Sequence, residues 1–279
     1  MNKMISGRKN RQSMKAEGFF DSYPRFLETS KTGADKDRLN ERYRAIIEFN
    51  RDIIRGSRLL DIASHDGRWS FAALKAGAEH STGIEIRPYL VENCVRNMQS
   101  QCIADGRYHF TCGDAVTTIS KLPAGQFDVV MCLGYLYHTP HIPLLIQQIG
   151  RLKPRHVIID SQVGVPVGFH EPSDWLALSD GIYGKFFMQE LTRFLSEQPL
   201  ILLHEDETQR EGMAVHVDST APWVPVGYPT KGALEFLLKK AGFDDFVYYD
   251  WFSADLQNPV PLFDYRMGYR VTMRCRAIE

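Results

Sequence analysis

Short β-forming runs alternate with helical stretches from residue 58 to residue 160, and this alternation constrains the fold more than any other feature of the sequence. It is typical of parallel strands joined by crossover helices. The predicted strands span residues 57–62, 81–86, 107–112, 127–133 and 155–160, and the predicted helices include 67–76, 89–101 and 142–152. Pro88 suits the first position of the second of these helices. The sequence therefore predicts an α/β fold with a doubly wound, mostly parallel sheet.

The same pattern divides the chain into four segments. Residues 1–17 form a basic tail, and residues 18–160 combine N-terminal helices with the ligand-binding half of the sheet. Within the latter, an apolar stripe over residues 39–54 predicts a helix that covers the sheet or the site. Residues 161–229 lose the alternation and contain six prolines, which predicts an inserted cap, helical or irregular. Residues 230–279 complete the sheet, with a helix capped by Thr230 and strands at 246–251 and 268–275.

Charge is balanced over the chain but uneven along it. Thirty-three Lys and Arg residues face 34 Asp and Glu residues, so the body lacks the basic footprint of a nucleic-acid-binding protein. Residues 1–16 hold five basic residues and no acidic one, which predicts a solvated tail or an arm that touches phosphate or acidic substrate. The predicted cap carries an acidic cluster that would repel a polyanion, made of Glu205, Asp206, Glu207 and Glu211. We therefore expect a small-molecule substrate more than a nucleic acid.

Composition and cysteine spacing exclude several other classes of protein. The chain is 44% hydrophobic and 24% charged, which is typical of a globular fold rather than a disordered segment. No apolar run approaches the roughly 18 residues of a membrane span, and no signal-peptide stretch opens the sequence. The five cysteines form no CxxC pair, and no spacing of ligand-type residues predicts a metal site. We expect a soluble, cytoplasmic protein without a membrane partner.

The residues that directly follow the predicted strands are the candidates for ligand binding, because ligands of open α/β sheets lie beyond the carboxyl ends of the strands. A dinucleotide needs G-x-G-x-x-G in the first of these loops, and this chain has Ala63, His65 and Arg68 at those positions. Asp66 would also repel a pyrophosphate. S-adenosylmethionine carries an ammonium and a sulfonium and no phosphate, so the chemistry of this loop favours it as the ligand.

Several of these segments together resemble the class I S-adenosylmethionine-dependent methyltransferases. They are Leu-Leu-Asp-Ile-Ala-Ser-His-Asp-Gly-Arg at 59–68, Glu85, Gly113-Asp114 and Phe-Asp-Val-Val at 127–130. The resemblance covers roughly residues 57–160 and implies a Rossmann-like, seven-stranded sheet of order 3-2-1-4-5-7-6. It departs from the family in the first loop, where Gly67 is kept and Ala63 and His65 replace glycines. If His65 adopts positive φ, its backbone is strained in a way that a glycine backbone is not.

The resemblance also implies a role for each matching position. The loop from Asp61 to Gly67 would approach the methionine part of the cofactor, and Glu85 would accept both ribose hydroxyls. Asp114 would accept the adenine amino group, and Leu133 and Gly134 would line the pocket beside the sulfonium. The predicted cofactor-binding residues are Asp61, Ala63, Ser64, Asp66, Gly67, Trp69, Glu85, Ile86, Arg87, Gly113, Asp114, Ala115, Leu133 and Gly134.

The fourth loop, Leu133-Gly-Tyr-Leu-Tyr-His138, carries a second and shorter resemblance, to the tRNA wobble-uridine carboxymethyltransferases. His138 is the first candidate for a general base, with His141 and Asp160 behind it; packing and turn roles remain open for His138 and Asp160. The predicted function is O-methylation of a small hydroxylated metabolite, a sugar or natural product. The alternatives are a tRNA-modifying enzyme and a non-catalytic protein that binds an adenosyl ligand.

Overall fold

The computed structural model describes residues 17–30, 35–164, 200–206, 223–252 and 260–278. The predicted basic arm of residues 1–16 lies outside the described residues, as does most of the predicted cap. Glu207 and Glu211 of the acidic cluster are among the residues outside this range. Within the described residues, no helix is both long and apolar enough to cross a membrane.

A seven-stranded sheet forms the centre of the fold, in the order β3-β2-β1-β4-β5-β9-β8. Five strands are parallel, whereas β9 pairs antiparallel with both β5 and β8. This arrangement confirms the predicted doubly wound sheet and its order. The strands are β1 (Arg58–Ile62), β2 (His80–Glu85), β3 (Tyr108–Cys112), β4 (Val129–Leu133), β5 (His156–Gln162), β6 (Leu200–Asp206), β7 (Trp223–Pro229), β8 (Phe243–Tyr248) and β9 (Arg270–Ala277).

Helices cover both faces of this sheet and begin where the sequence signals placed them. Pro88 occupies the first turn of its helix, and the Thr230 hydroxyl accepts the backbone N–H of Ala233 at 3.2 Å as an N-cap. The helices are α1 (Arg25–Glu28), α2 (Lys36–Tyr43), α3 (Arg51–Ile54), α4 (Arg68–Lys75), α5 (Pro88–Ser100), α6 (Ala115–Ser120), α7 (Ile142–Arg151), α8 (Lys231–Lys240) and α9 (Phe263–Arg266).

Two apolar layers enclose the sheet because successive strand residues point to opposite faces. In β1, Leu60 and Ile62 join the layer built by α6, α7 and α8, whereas Leu59 joins the layer built by α4 and the N-terminal helices. In the second layer, Ile46, Ile47 and Ile54 are fully buried. The apolar stripe of residues 39–54 thus covers one face of the sheet, as predicted. It is interrupted by a π-helical turn, Arg44–Glu48, between α2 and α3.

The structure corrects three boundaries in the C-terminal part of the chain. β5 continues to Gln162, two residues beyond its predicted end at Asp160. The described part of the predicted cap contains β6 and β7, an antiparallel pair, rather than only helical or irregular chain. The strand predicted at 246–251 is observed at Phe243–Tyr248. Trp251 lies outside it and stacks on Tyr265 instead, with ring centroids 4.1 Å apart.

Candidate functional site

The first loop adopts the backbone of a glycine-rich turn without the glycines. Ala63, His65 and Gly67 have φ values of 55°, 54° and 80°. The left-handed region costs a residue with a Cβ about 1 kcal/mol or more, so this loop stores strain at two positions. His65 offsets its share through contacts: its N–H donates to Glu85 Oε2 at 3.0 Å, and its ring lies 3.0 Å from Arg68 Nη2. Histidine therefore stands where the family has glycine because its neighbours hold it there.

Gly67 is kept for a steric reason as well as for its positive φ. A Cβ at this position would lie 3.3 Å from the Cα, Cβ and Sγ atoms of Cys94 in α5. Such a distance is tighter than ordinary van der Waals contact, and the neighbouring atoms belong partly to the backbone. Close approach of α5 to the loop therefore requires glycine. Ser64 lies in the same contact, with its Oγ 3.9 Å from Cys94 Sγ.

Asp66 is turned into the protein. Its side chain is fully buried, and its carboxylate accepts Arg68 Nε and Thr29 Oγ1, each at 2.7 Å. Arg68 holds the pKa of this carboxyl well below its usual range despite burial. Asn97 donates to the Asp66 carbonyl at 2.9 Å. The side chain predicted to contact the cofactor instead stabilises the loop from within, because its oxygens are occupied by protein donors.

Asp61 is also buried, but fewer protein donors bond to its carboxylate than to that of Asp66. Its Oδ2 accepts the backbone N–H and the hydroxyl of Ser70, at 3.1 and 2.7 Å. Burial raises the pKa of Asp61 to about 7, with Glu85 and Asp66 adding like-charge repulsion. A cationic ligand at this loop would favour the ionised carboxylate. The predicted proximity of Asp61 to the ammonium of the cofactor agrees with that chemistry.

Glu85 stands at the carboxyl end of β2, and its side chain is engaged by Arg87. Oε1 accepts Arg87 Nε at 2.7 Å and the Arg87 backbone N–H at 3.1 Å, while Oε2 accepts Arg87 Nη2 at 3.2 Å. Arg87 Nη1 is buried without a hydrogen-bond partner among the described residues. A ribose that bonds to Glu85 would therefore share this carboxylate with Arg87. Ile86 between them is half-buried.

The third loop closes beside this carboxylate. The N–H of Gly113 donates to the Glu85 carbonyl at 3.0 Å, which joins the ends of β2 and β3. Asp114 caps α6, with Oδ1 accepting the Thr117 N–H at 2.8 Å, and Ala115 is the first residue of that helix. The cap fixes the position of the carboxylate at the cleft edge. Asp114 can then offer its remaining lone pairs to an amino group.

The fourth loop supplies the residues expected near the reacting methyl group. Gly134 follows β4 with φ of 74°, and its N–H donates to the Asp160 carbonyl at 2.7 Å. Leu133 is nearly buried, and Leu136–His138 form a 3-10 turn. The His138 side chain is buried in this turn, and its ring centroid lies 4.2 Å from that of Tyr137. The turn after β4 therefore buries His138 four residues beyond Gly134 in the chain.

The Asp160 side chain bonds to residues of α2 near the N-terminus and of α9 and β9 near the C-terminus. Its Oδ1 accepts Arg42 Nη2 at 3.0 Å and Arg270 Nε at 2.7 Å, and its Oδ2 accepts the hydroxyls of Tyr265 and Thr272, each at 2.8 Å. The arginines hold its pKa well below the usual range. A carboxylate with these partners is a poor proton acceptor, so this geometry favours the structural role over the predicted role as a base.

Sequence reasoning missed the arginines on this side of the site. Arg42 comes from α2 and Arg270 from β9, and neither belongs to a motif or follows a parallel strand. The Arg42 guanidinium lies 5.1 Å from the centroid of the Trp69 ring, which packs edge-on against Phe20. Trp69 was predicted to contact the cofactor, and the structure places it under Arg42. No local sequence signal predicts this pairing.

The residues present fit S-adenosylmethionine in type and position. Carboxylates end β2 and follow β3, and the first loop has positive φ at Ala63, His65 and Gly67. Among the described residues, the loop after β1 has Ala63, His65 and Arg68 where a phosphate-binding loop has glycines, so it does not favour a pyrophosphate. Among the described residues, no cluster of three or more His, Cys, Asp or Glu side chains could hold a metal.

Comparison with known proteins agrees with the fold. Residues 59–154 match the family described as the methyltransferase domain. A search of curated proteins gave no significant match. Among solved structures, the N-terminal domain of EvdMO1, crystallised in the presence of S-adenosylhomocysteine and D-fucose, has a TM-score of 0.56 at 17% identity, covering 88% of this chain and 85% of that one.

Two further solved structures are similar over most of their length. An S-adenosylmethionine-dependent methyltransferase from Mesorhizobium loti has a TM-score of 0.55 at 12% identity, covering 90% of this chain and 99% of that one. Magnesium protoporphyrin IX methyltransferase from Synechocystis, with S-adenosylhomocysteine bound, has a TM-score of 0.51 at 13% identity, covering 86% and 81%. These matches do not confirm the likeness to tRNA carboxymethyltransferases. The match of residues 59–154 to a methyltransferase domain and the strand order of the sheet support a class I S-adenosylmethionine-dependent methyltransferase.

Proposed function

We propose that this methyltransferase transfers the methyl group to a hydroxyl of a small hydroxylated metabolite, with His138 as the general base. The observation that carries the proposal is the buried position of His138 in the turn that follows β4. When bound, S-adenosylmethionine supplies a methyl group on a sulfonium, and its transfer is an in-line displacement. An oxygen nucleophile must lose its proton as the new carbon–oxygen bond forms, and in this proposal His138 accepts that proton.

A compact acceptor is supported by how the turn is covered. Tyr228 of β7 packs edge-on against Tyr137, with ring centroids 5.7 Å apart, and both side chains are buried. β7 therefore closes over the turn that carries His138 and gives the site an aromatic wall. Such a wall excludes water and suits a small molecule better than a polynucleotide. The structural neighbour crystallised in the presence of D-fucose agrees with a sugar as one candidate.

The test is methyl transfer from labelled S-adenosylmethionine into a small-molecule extract and into total RNA. His138→Ala should lower transfer into small molecules by about 100-fold or more, while the Kd for S-adenosylhomocysteine stays unchanged. His109→Ala is the matched control, because His109 is exposed on β3 and belongs to none of the predicted site residues. Transfer that goes mainly into RNA would favour the tRNA-modifying alternative. Equal rates for wild type and His138→Ala would exclude His138 as the base.

A further inference from the structure

Two arginines from distant parts of the chain meet at the acceptor side of the cofactor cleft. A Cβ placed on Gly134 would lie 3.2 Å from Arg270 Nη2 and 4.0 Å from Arg42 Nη2. Arg42 also lies over Trp69. Gly134 and Trp69 both belong to the predicted cofactor-binding set. The arginine pair therefore stands beside the position expected for the reacting methyl group, rather than on a remote surface.

The pair shares one carboxylate. Arg42 and Arg270 both bond to Asp160, and no other described carboxylate lies within ion-pair distance of either. The neighbouring Arg38 does not change this balance, because it forms its own bidentate pair with Asp264 at 2.7 Å. Side-chain exposure is 15% for Arg42 and 6% for Arg270. Among the described residues, the cluster thus holds one positive charge without a counterion in a poorly hydrated place.

Two polar atoms at this place are buried without a hydrogen-bond partner among the described residues. One is Arg42 Nε, and the other is Gln162 Oε1 at the end of β5. Gln162 is the register partner of Arg270, so the two side chains lie on the same face of the sheet. Buried polar atoms are nearly always hydrogen-bonded in native proteins. A buried polar atom without a hydrogen bond therefore indicates that a bonding group is missing from the site. One of these atoms is a donor and the other an acceptor, and they belong to the two residues that share Asp160 or β-sheet pairing with Arg270.

From these observations we propose that Arg42 and Arg270 bind a carboxylate carried by the acceptor, which makes the substrate a small hydroxylated acid. The proposal rests on the proposed function, since it concerns the acceptor of that same site. A guanidinium fork matches a carboxylate in geometry and supplies the missing counterion. Tyr137 accepts from Arg270 Nη1 at 3.1 Å, so its own O–H remains a donor toward the same carboxylate. Gln162 Oε1 can accept from a hydroxyl of the bound acid.

The test uses benzoate as a probe and benzamide as its neutral isostere, titrated by calorimetry into full-length protein saturated with S-adenosylhomocysteine. Benzoate should bind at least about tenfold more tightly than benzamide. Arg42→Gln should weaken benzoate binding by about 10- to 100-fold and leave the affinity for S-adenosylhomocysteine unchanged. Arg58→Gln is the control, because Arg58 forms an exposed ion pair with Asp128 at the opposite end of β1.

Three results would overturn the proposal. Equal affinity for benzoate and benzamide would show that no carboxylate site exists. Loss of benzoate binding on saturation with S-adenosylhomocysteine, or weaker cofactor binding in Arg42→Gln, would assign the arginines to the carboxylate of the cofactor itself. Unchanged benzoate binding in a folded Arg42→Gln protein would exclude Arg42. None of these readouts needs turnover. Failure of the His138 test therefore would not overturn the proposed carboxylate site, and absence of a carboxylate site would not overturn the proposed role of His138.

Discussion

Replacing Asp160 with Asn removes the carboxylate that Arg42 and Arg270 share and nearly preserves its shape. Asp160 is fully buried, and both arginines keep less than one-sixth of their side-chain surface exposed. The neutral amide can still accept hydrogen bonds but leaves two buried guanidinium groups without a negative partner. Breaking a buried pair in this way costs about 3–5 kcal/mol. We therefore expect the free energy of unfolding of Asp160→Asn to fall by about that amount at pH 7.

The pH dependence of this loss follows from the direction of the pKa shift. The pKa of Asp160 is lowered in the folded protein by Arg270 and Arg42. A lowered carboxyl pKa stabilises the fold above the unfolded-state value, which is about 3.9, and the stabilisation disappears as the pH falls through the folded pKa. The difference between wild type and Asp160→Asn should therefore be constant from about pH 6 to 8 and shrink in acid below about pH 4.

Urea denaturation followed by tryptophan fluorescence at several pH values measures this difference. Asp128→Asn is a suitable control, because Asp128 pairs with Arg58 at 3.3 Å where both side chains are partly exposed, and its loss should cost less than about 1 kcal/mol. The reasoning would be refuted if Asp160→Asn unfolded like wild type but lost methyl transfer. That result would return Asp160 to the role of a base.

Two further predictions concern the cofactor half of the site. Glu85→Gln should weaken S-adenosylmethionine binding by about 10-fold or more, because an amide cannot accept from both ribose hydroxyls, and calorimetry against the exposed control Glu92→Gln would check it. Since the pKa of Asp61 is raised to about 7, its carboxylate ionises as the pH rises through 7, and affinity for the cationic cofactor should increase from pH 6 to 8. Asp61→Asn should flatten this profile; a profile with the same slope in Asp61→Asn would contradict the assignment.

The sheet was predictable because each of its strands has a local signature, and the displaced start of β8 has a local cause. β8 begins at Phe243, but Asp244 and Asp245 follow it, and acidic residues are poor strand formers. Asp245 has φ of 56°, and the pairing with β9 shifts between Asp244 and Val247. This irregularity is a bulge, and the sequence pattern becomes strand-like only beyond it. The predicted strand therefore began three residues late.

The two halves of the candidate site differ in how readily the sequence predicts them. The cofactor half is built from loops that directly follow β1, β2, β3 and β4, and parallel topology brings those loops to one edge whatever their length. The acceptor half depends on Arg42 and Arg270, which reach Asp160 only because β9 inserts antiparallel beside β5 and α2 packs over the sheet. Such contacts follow from tertiary structure alone. Pattern reasoning could therefore single out Glu85 and Asp114 as candidates, but it could not single out the arginines.

The contacts of the two arginines also determine which substitutions would alter the proposed acceptor site without destabilising the fold. Arg270 donates to both Asp160 and Tyr137 and is almost completely buried, so its loss leaves Asp160 and the β9 pairing poorly supported. Arg42 contributes one bond to Asp160 through Nη2, and its side chain is more exposed. A neutral residue at position 42 still leaves Asp160 paired with Arg270. Variation in α2 is therefore the less costly route to a different acceptor, whereas Arg270 and Asp160 must change together.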